Sequence, residues 1–258
     1  MKGIILAAGR GARLNGGKGD MPKCLVTLGG ETLLSRNVAL LRAAGLDEVV
    51  VVVGCAATTV RRSCSGVTFV ENARFAQTNS LYSLWLARPY LAEGFVVMNC
   101  DVLVHPQLMV DLLTARHEDA LLLAYRDEDT VYGDEEMKVA VRGGRVVDIS
   151  KTMEPENADG ENLGIVKFGP SGARVLVEEM DTLVAAGDHK AWVPRAFKEF
   201  AKRRPLHAIG TRGLPWIEID FPEDYRRAVE VVLPRIERDL RSNSTAAALL
   251  AQRVARSA

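Results

Sequence analysis

Val49 to Val53 are consecutive valines inside the run "EVVVVVG". An unbroken β-branched run has no polar face to turn to water, so it reads as a strand covered on both sides. Its neighbours agree. "GIIL" at 3–6, "VTFVEN" at 67–72, "FVVMNCD" at 95–101 and "ALLLAY" at 120–125 are further short strand-like runs. Between them lie stretches with apolar residues at helical spacing: "ETLLSRNVALLRAAG", ending at Gly45, "TNSLYSLWLARPYL", opening on Thr78 or Asn79 as N-cap, and "HPQLMVDLLTARH". Strands and helices alternating at this length predict an α/β fold with a doubly wound, mostly parallel sheet.

The second half changes character. "MKVAVRGGRVVDISK" reads as a hairpin turned by Gly143-Gly144. "GIVKFG" is a short strand before the helix "SGARVLVEEMDTLVAAG", and "AWVPRAFKEFAKR" is an amphipathic helix. "LHAIGTRGLPWIEID" supplies strand segments ending in acids, and "FPEDYRRAVEVVLPRIERDLR" is a closing helix with Pro222 in its first turn. One mixed domain over 1–235, with halves 1–130 and 131–235, is expected, followed by a helical tail over 236–258. At 258 residues and 48% hydrophobic the chain has material for such a core.

Basic and acidic residues balance at 33 each, so no global positive field exists to attract nucleic acid, and no such partner is expected. Cys24, Cys55, Cys64 and Cys100 form no Cys-x-x-Cys pair and read as buried free thiols. The N-terminus enters a strand at once, without the layout of a signal peptide, and no apolar run approaches the roughly 18 residues of a membrane span. A cytoplasmic location and no membrane partner are expected, and the Asn243-Ser244-Thr245 sequon is given no weight.

The chemistry starts in "LAAGRGARLNGGKGDMPKCLV" at 6–26, which gathers glycines with Arg10, Arg13, Lys18 and Lys23. A P-loop fails here because Gly17-Lys18 is followed by Gly19 and position 12 is alanine. A dinucleotide fingerprint fails because Leu14 stands at its third glycine. What remains is Leu6-Ala7-Ala8-Gly9-x-Gly11-x-Arg13-Leu14, with Pro22-Lys23 downstream. Small residues let the backbone approach a nucleotide, free N–H groups can nest phosphates, and Arg13 and Lys23 supply charge to their oxygens. The pattern resembles the nucleotide-binding signature of the sugar-phosphate nucleotidyltransferase superfamily. The resemblance implies a Rossmann-like nucleotidyltransferase fold in which 1–130 binds nucleotide and 131–235 binds the acceptor.

Asp101 closes "VVMNCD" and Asp220 closes "WIEID", each where a doubly wound sheet presents its ligand edge. Two converging carboxylates suit Mg²⁺, a hard cation that favours oxygen ligands. The resemblance places the metal on Asp101 and Asp220, with Glu218 able to share or replace that role. Lys138 in "EEMKV" and Lys151 in "ISKTMEP" lie on the hairpin. The second segment resembles the E-K-P stretch whose lysine holds the acceptor phosphate, although its proline arrives only at 155. Either lysine could equally face solvent.

Later stretches point to a branch. "NARFAQTNSLYSLWLA", "EMKV" and "WIEIDFPEDY" resemble segments of the phosphocholine cytidylyltransferase group, and "DGENLGIVKF" resembles a stretch of the phosphonate cytidylyltransferases. The resemblance implies a Mg²⁺-dependent transfer of CMP, from CTP or another pyrimidine nucleoside triphosphate, to a small phosphate or phosphonate. 2-Aminoethylphosphonate and phosphocholine are candidates, and pyrophosphate is released. Leu6, Ala7, Ala8, Gly9, Gly11, Arg13, Lys23, Asn79 and Ser80 then contact nucleotide, with simple N-capping as the alternative for Asn79 and Ser80. Arg13, Lys23, Lys151, Asp101 and Asp220 act in the transfer. Lys138, Lys151, Glu161, Trp192 and Trp216 face the acceptor. An acceptor oxygen already ionised at neutral pH needs no general base, leaving positioning and charge neutralisation. A quaternary ammonium would want aromatic faces such as Trp192, Trp216, Tyr132 or Tyr82, whereas a primary amine would want Glu161 or Glu218. The Glu161 stretch favours a small phosphonate or an amino-alcohol phosphate. Two alternatives stay open: a hexose-1-phosphate nucleotidyltransferase, and a non-catalytic nucleotide-sensing module. The apolar "TAAALLAQRV" is a candidate for pairing two copies as a homodimer.

Overall fold

The computed structural model describes residues 1–11, 13–14, 22–127 and 129–242. The Gly17-Lys18-Gly19 part of the loop, the sequon and the "TAAALLAQRV" tail lie outside the described residues. The strands are β1 (Lys2–Ala7), β2 (Thr27–Leu28), β3 (Glu31–Thr32), β4 (Val49–Val53), β5 (Thr68–Glu71), β6 (Phe95–Asn99), β7 (Val102–Val104), β8 (Ala120–Tyr125), β9 (Lys138–Arg142), β10 (Arg145–Ser150), β11 (Gly160–Phe168), β12 (His207–Gly210) and β13 (Trp216–Glu218). The helices are α1 (Leu33–Ala43), α2 (Ala57–Ser63), α3 (Ser80–Leu86), α4 (Pro106–Thr114), α5 (Pro170–Ala185), α6 (Pro194–Arg203), α7 (Pro222–Arg227) and α8 (Leu233–Ser242).

The main sheet runs β5-β4-β1-β6-β11-β8-β12-β10-β9. Its first four strands are parallel. β11 then enters antiparallel between β6 and β8, and the rest is mixed. This is the expected doubly wound α/β sheet, with its parallel order concentrated in the N-terminal half.

The valine run behaves as its composition dictates. Val50 and Val52 join a core with Leu81, Leu176 and Phe197 on the face covered by α3, α5 and α6. Val49, Val51 and Val53 join the opposite core with Val38, Leu41 and Leu108 of α1 and α4. Period-2 alternation thus feeds two cores from one strand.

The hairpin is β9–β10, antiparallel, with Gly143 and Gly144 at φ 57° and 76°, the two left-handed positions of a tight turn. A third cluster joins β7, β13 and the closing helix through Leu103, Ile217, Ile219 and Val232. That helix is not continuous α-helix. Pro234 has no N–H to donate to residue 230, and residues 228–232 widen into a π-helical stretch before α8. α2, β7 and the β2–β3 ribbon are short pieces that local periodicity does not reveal.

Cys24, Cys55 and Cys100 are buried, Cys64 is half-buried, and no disulfide joins them. Among the described residues no helix is long and apolar enough to cross a membrane.

Candidate active site

The carboxyl ends of β1 and β6 open side by side into a cleft of about 410 Å³. β1 delivers Leu6, Ala8, Gly9 and Gly11 to its wall, with Ala7 buried in the core behind them. A Cβ at Gly9 would meet no atom within 4 Å, so the cleft keeps open space against that backbone. β6 delivers Asn99 and Asp101.

The late acids arrive by a different device. β13 pairs antiparallel with β7, Glu218 lies opposite Val102, and Ile219 N donates to Asp101 O at 3.0 Å. This short ribbon brings Glu218 and Asp220 beside Asp101, with one carboxylate oxygen from each within 4.8 Å of the others. Lys23 Nζ lies 2.9 Å from Asp101 Oδ2 and also pairs with Asp220. An ammonium thus already sits among these acids. Three oxygen donors are also what a hard divalent cation selects, so the residues fit Mg²⁺. Burial, followed by the neighbouring Asp101 charge, pushes the Glu218 carboxyl up to about 7.

Two further cations face this group. Arg13 lies 3.1 Å from Asp220 Oδ2 and 2.5 Å from Glu135 Oε2, and its guanidinium sits over the Phe221 ring. Lys151, just beyond β10, lies 3.0 Å from the same Glu135 oxygen and 4.9 Å from the centre of the Trp192 ring. Asn79 and Ser80 stand at the start of α3. Asn79 Oδ1 accepts from Ser80 N, and Ser80 Oγ accepts from Val193 N at 2.9 Å, which ties the Trp192 segment to the helix. Both residues therefore cap and brace here while lining the cleft.

Three residues expected at the acceptor lie outside this cleft. Lys138 is 1% exposed, and its Nζ donates to Gly133 O at 2.7 Å. It braces a turn instead of lining the cleft. Glu161 and Trp216 line an adjoining cavity of about 1120 Å³, which Tyr132 and Glu136 also face. Glu135, Glu218 and Asp220 border both spaces. Burial, then the Glu218 and Glu136 charges, pushes the Glu161 carboxyl up to about 8.

Glu135, Asn99 and Asn72 had no role in the sequence reading. Asn72 is buried, and its Nδ2 donates to Thr78 Oγ1 and Ser83 Oγ at 3.0 Å each. In sequence it stands straight after a strand and opens the "NARFAQTNSLYSLWLA" stretch, without a role of its own. Gly164, at φ 73° beside the β11 irregularity, leaves room for Asn99, whose Nδ2 would lie 2.5 Å from an added Cβ.

Residues 3–155 match the model of the MobA-like NTP transferase domain. The chain is 33% identical over 236 residues to a bifunctional IPC transferase and DIPP synthase of Rubrobacter xylanophilus. That match covers 89% of this chain and 51% of the relative, so the chain spans about half of that relative's length. It is 25% identical over 244 residues to the choline-phosphate cytidylyltransferase of Streptococcus pneumoniae, covering 90% of this chain and 98% of that protein. The inositol-1-phosphate CTP transferase of T. maritima shares its fold, with a TM-score of 0.73 at 20% identity over 92% of this chain and 96% of that one.

Proposed function

The chain belongs to the MobA-like NTP transferase family, and we propose that it is a cytidylyltransferase moving CMP from CTP to a small phosphate- or phosphonate-bearing acceptor. The observation that carries this is the convergence of Lys23, Arg13, Asp101, Glu218 and Asp220 at the open ends of β1 and β6. The acceptor's ionised oxygen attacks the α-phosphorus, the bond to the β-phosphate oxygen breaks, and pyrophosphate leaves. Arg13 and Lys23 meet the charge that builds on the nucleotide phosphates. Lys151 holds the acceptor's phosphorus group, and the loop from Leu6 to Gly11 leaves space for the nucleoside. Mg²⁺, held by Asp101 and Asp220 with Glu218, supplies further charge neutralisation on the triphosphate when bound.

The adjoining cavity favours an acceptor with a positive nitrogen at its far end. Glu136 offers a carboxylate, Glu161 offers one once ionised, and Tyr132 and Trp216 offer aromatic faces. 2-Aminoethylphosphonate and phosphocholine both fit that description, and a hexose phosphate does not.

Pyrophosphate release is the test, measured with Mg²⁺ across CTP, UTP, dTTP and GTP and a panel of phosphocholine, 2-aminoethylphosphonate, methylphosphonate and hexose 1-phosphates. Release requiring CTP and a cationic small acceptor is expected. Release only with a sugar phosphate moves the chain to nucleotide-sugar synthesis. Nucleotide binding with no release on any acceptor supports the sensing module.

A further inference from the structure

Arg13 and Lys151 approach the cleft from opposite sides, one following β1 and the other following β10. Both close on one oxygen. Glu135 Oε2 is 2.5 Å from Arg13 and 3.0 Å from Lys151. Two cations meeting at one anionic oxygen is an arrangement that suits a phosphate oxygen as well as a carboxylate.

The turn that carries Glu135 is built to present it. Gly133 N donates to Glu136 Oε2 at 2.8 Å, and Gly133 O accepts from the buried Lys138 Nζ. Glu135 itself stays half exposed, at 50% of its side chain, so its ion pairs are weak and exchangeable. Arg13 and Lys151 together hold its carboxyl below the ordinary range, which keeps it charged at neutral pH.

We propose that Glu135 is a placeholder for the substrates' phosphorus oxygens: a positioning residue that occupies Arg13 and Lys151 in the free protein and gives way when substrate binds. The inference rests on the reading of Arg13 and Lys151 as phosphate ligands. In the free protein the carboxylate offsets the repulsion between two like charges aimed into one space. A phosphorus oxygen that takes Arg13 or Lys151 must displace this carboxylate, so the exposed ion pairs oppose anion binding until they give way. An ordinary bracing residue gives the opposite sign on removal, because an unbraced cation binds anions less well.

Calorimetric titration with inorganic pyrophosphate in Mg²⁺ buffer separates the two. The proteins are wild type, Glu135→Gln, Glu135→Asp, Arg13→Ala, Lys151→Ala and Arg13→Ala/Glu135→Gln, each checked for a native thermal midpoint. Glu135→Gln is expected to bind about threefold tighter, the scale of an exposed ion pair. Glu135→Asp keeps the charge and stays near wild type. Arg13→Ala weakens binding and removes most of the gain in the double variant. If Arg13→Ala weakens binding while Glu135→Gln leaves it unchanged or weaker, the placeholder is overturned and the phosphate reading survives. If neither Arg13→Ala nor Lys151→Ala alters binding, the phosphate reading falls and takes the placeholder with it.

Discussion

The parallel strands of the sheet and the antiparallel additions to the fold present their functional groups in different ways. In the parallel half, Leu6 to Gly11 and Asp101 stand where neighbouring strands end, so each group follows directly from one strand. Among the antiparallel additions, the separate β7–β13 ribbon carries Glu218 and Asp220 inward, and the hairpin of the mixed half carries Lys151 to the rim. A parallel sheet makes a site at its edge by topology alone. An antiparallel addition must build its share from turns and side-chain braces, and it can be retuned without disturbing the first half.

That contrast is broken or sharpened by substitution. Asp101→Ala, after a parallel strand, and Asp220→Ala, after the ribbon, should each cut Mg²⁺-dependent pyrophosphate release by roughly 10³-fold with native circular dichroism. Near-normal turnover in both would remove the metal assignment. Lys23→Ala should lower kcat by roughly 10²-fold, more than it weakens nucleotide binding. An effect on affinity alone would make Lys23 a ground-state contact.

The second half should split into residues that touch substrate and residues that brace. Lys151→Ala is expected to raise the acceptor KM about tenfold, the loss of one charge-assisted contact, with a smaller change for CTP. Equal effects on both substrates would erase the division between the halves. Lys138→Met leaves Gly133 O without its donor and should cost about 1–3 kcal/mol in urea unfolding, with acceptor KM moving little by comparison. A pure KM effect would return Lys138 to the acceptor.

The smallest expected effect is one of pH. Glu161, raised to about 8, is mostly neutral below that pH and ionised above it. A cationic acceptor gains from the ionised form, so its KM should fall as pH rises through about 8. Methylphosphonate, which lacks the cation, controls for ionisation of the phosphorus group and should show no such fall. Parallel profiles for both would detach Glu161 from the acceptor.

The part of the cleft built on β1 and β6 was legible because its signals are local. The valine run, the glycines after β1 and Asp101 after β6 all depend on where a strand ends. The pairing of Asp101 with Asp220 was legible by resemblance, and β7–β13 supplies its physical cause. Lys138 was not legible. In sequence it is one more lysine on a strand, and its burial follows from a turn five residues away that its own Nζ holds. Glu135 lies among the acids of "GDEE", where nothing local distinguishes the one that reaches Arg13, 122 residues distant.

The sequence by itself therefore determined the α/β class, the positions of the main strands and helices and the glycine-rich loop after β1, since periodicity and turn residues act over a few positions. Only the tertiary structure decided which acid joins Arg13 and Lys151, which lysine is buried and which wall borders which cavity. Those outcomes depend on pairings such as β13 with β7 and β11 with β6, between segments far apart in the chain, which no local pattern of residues specifies.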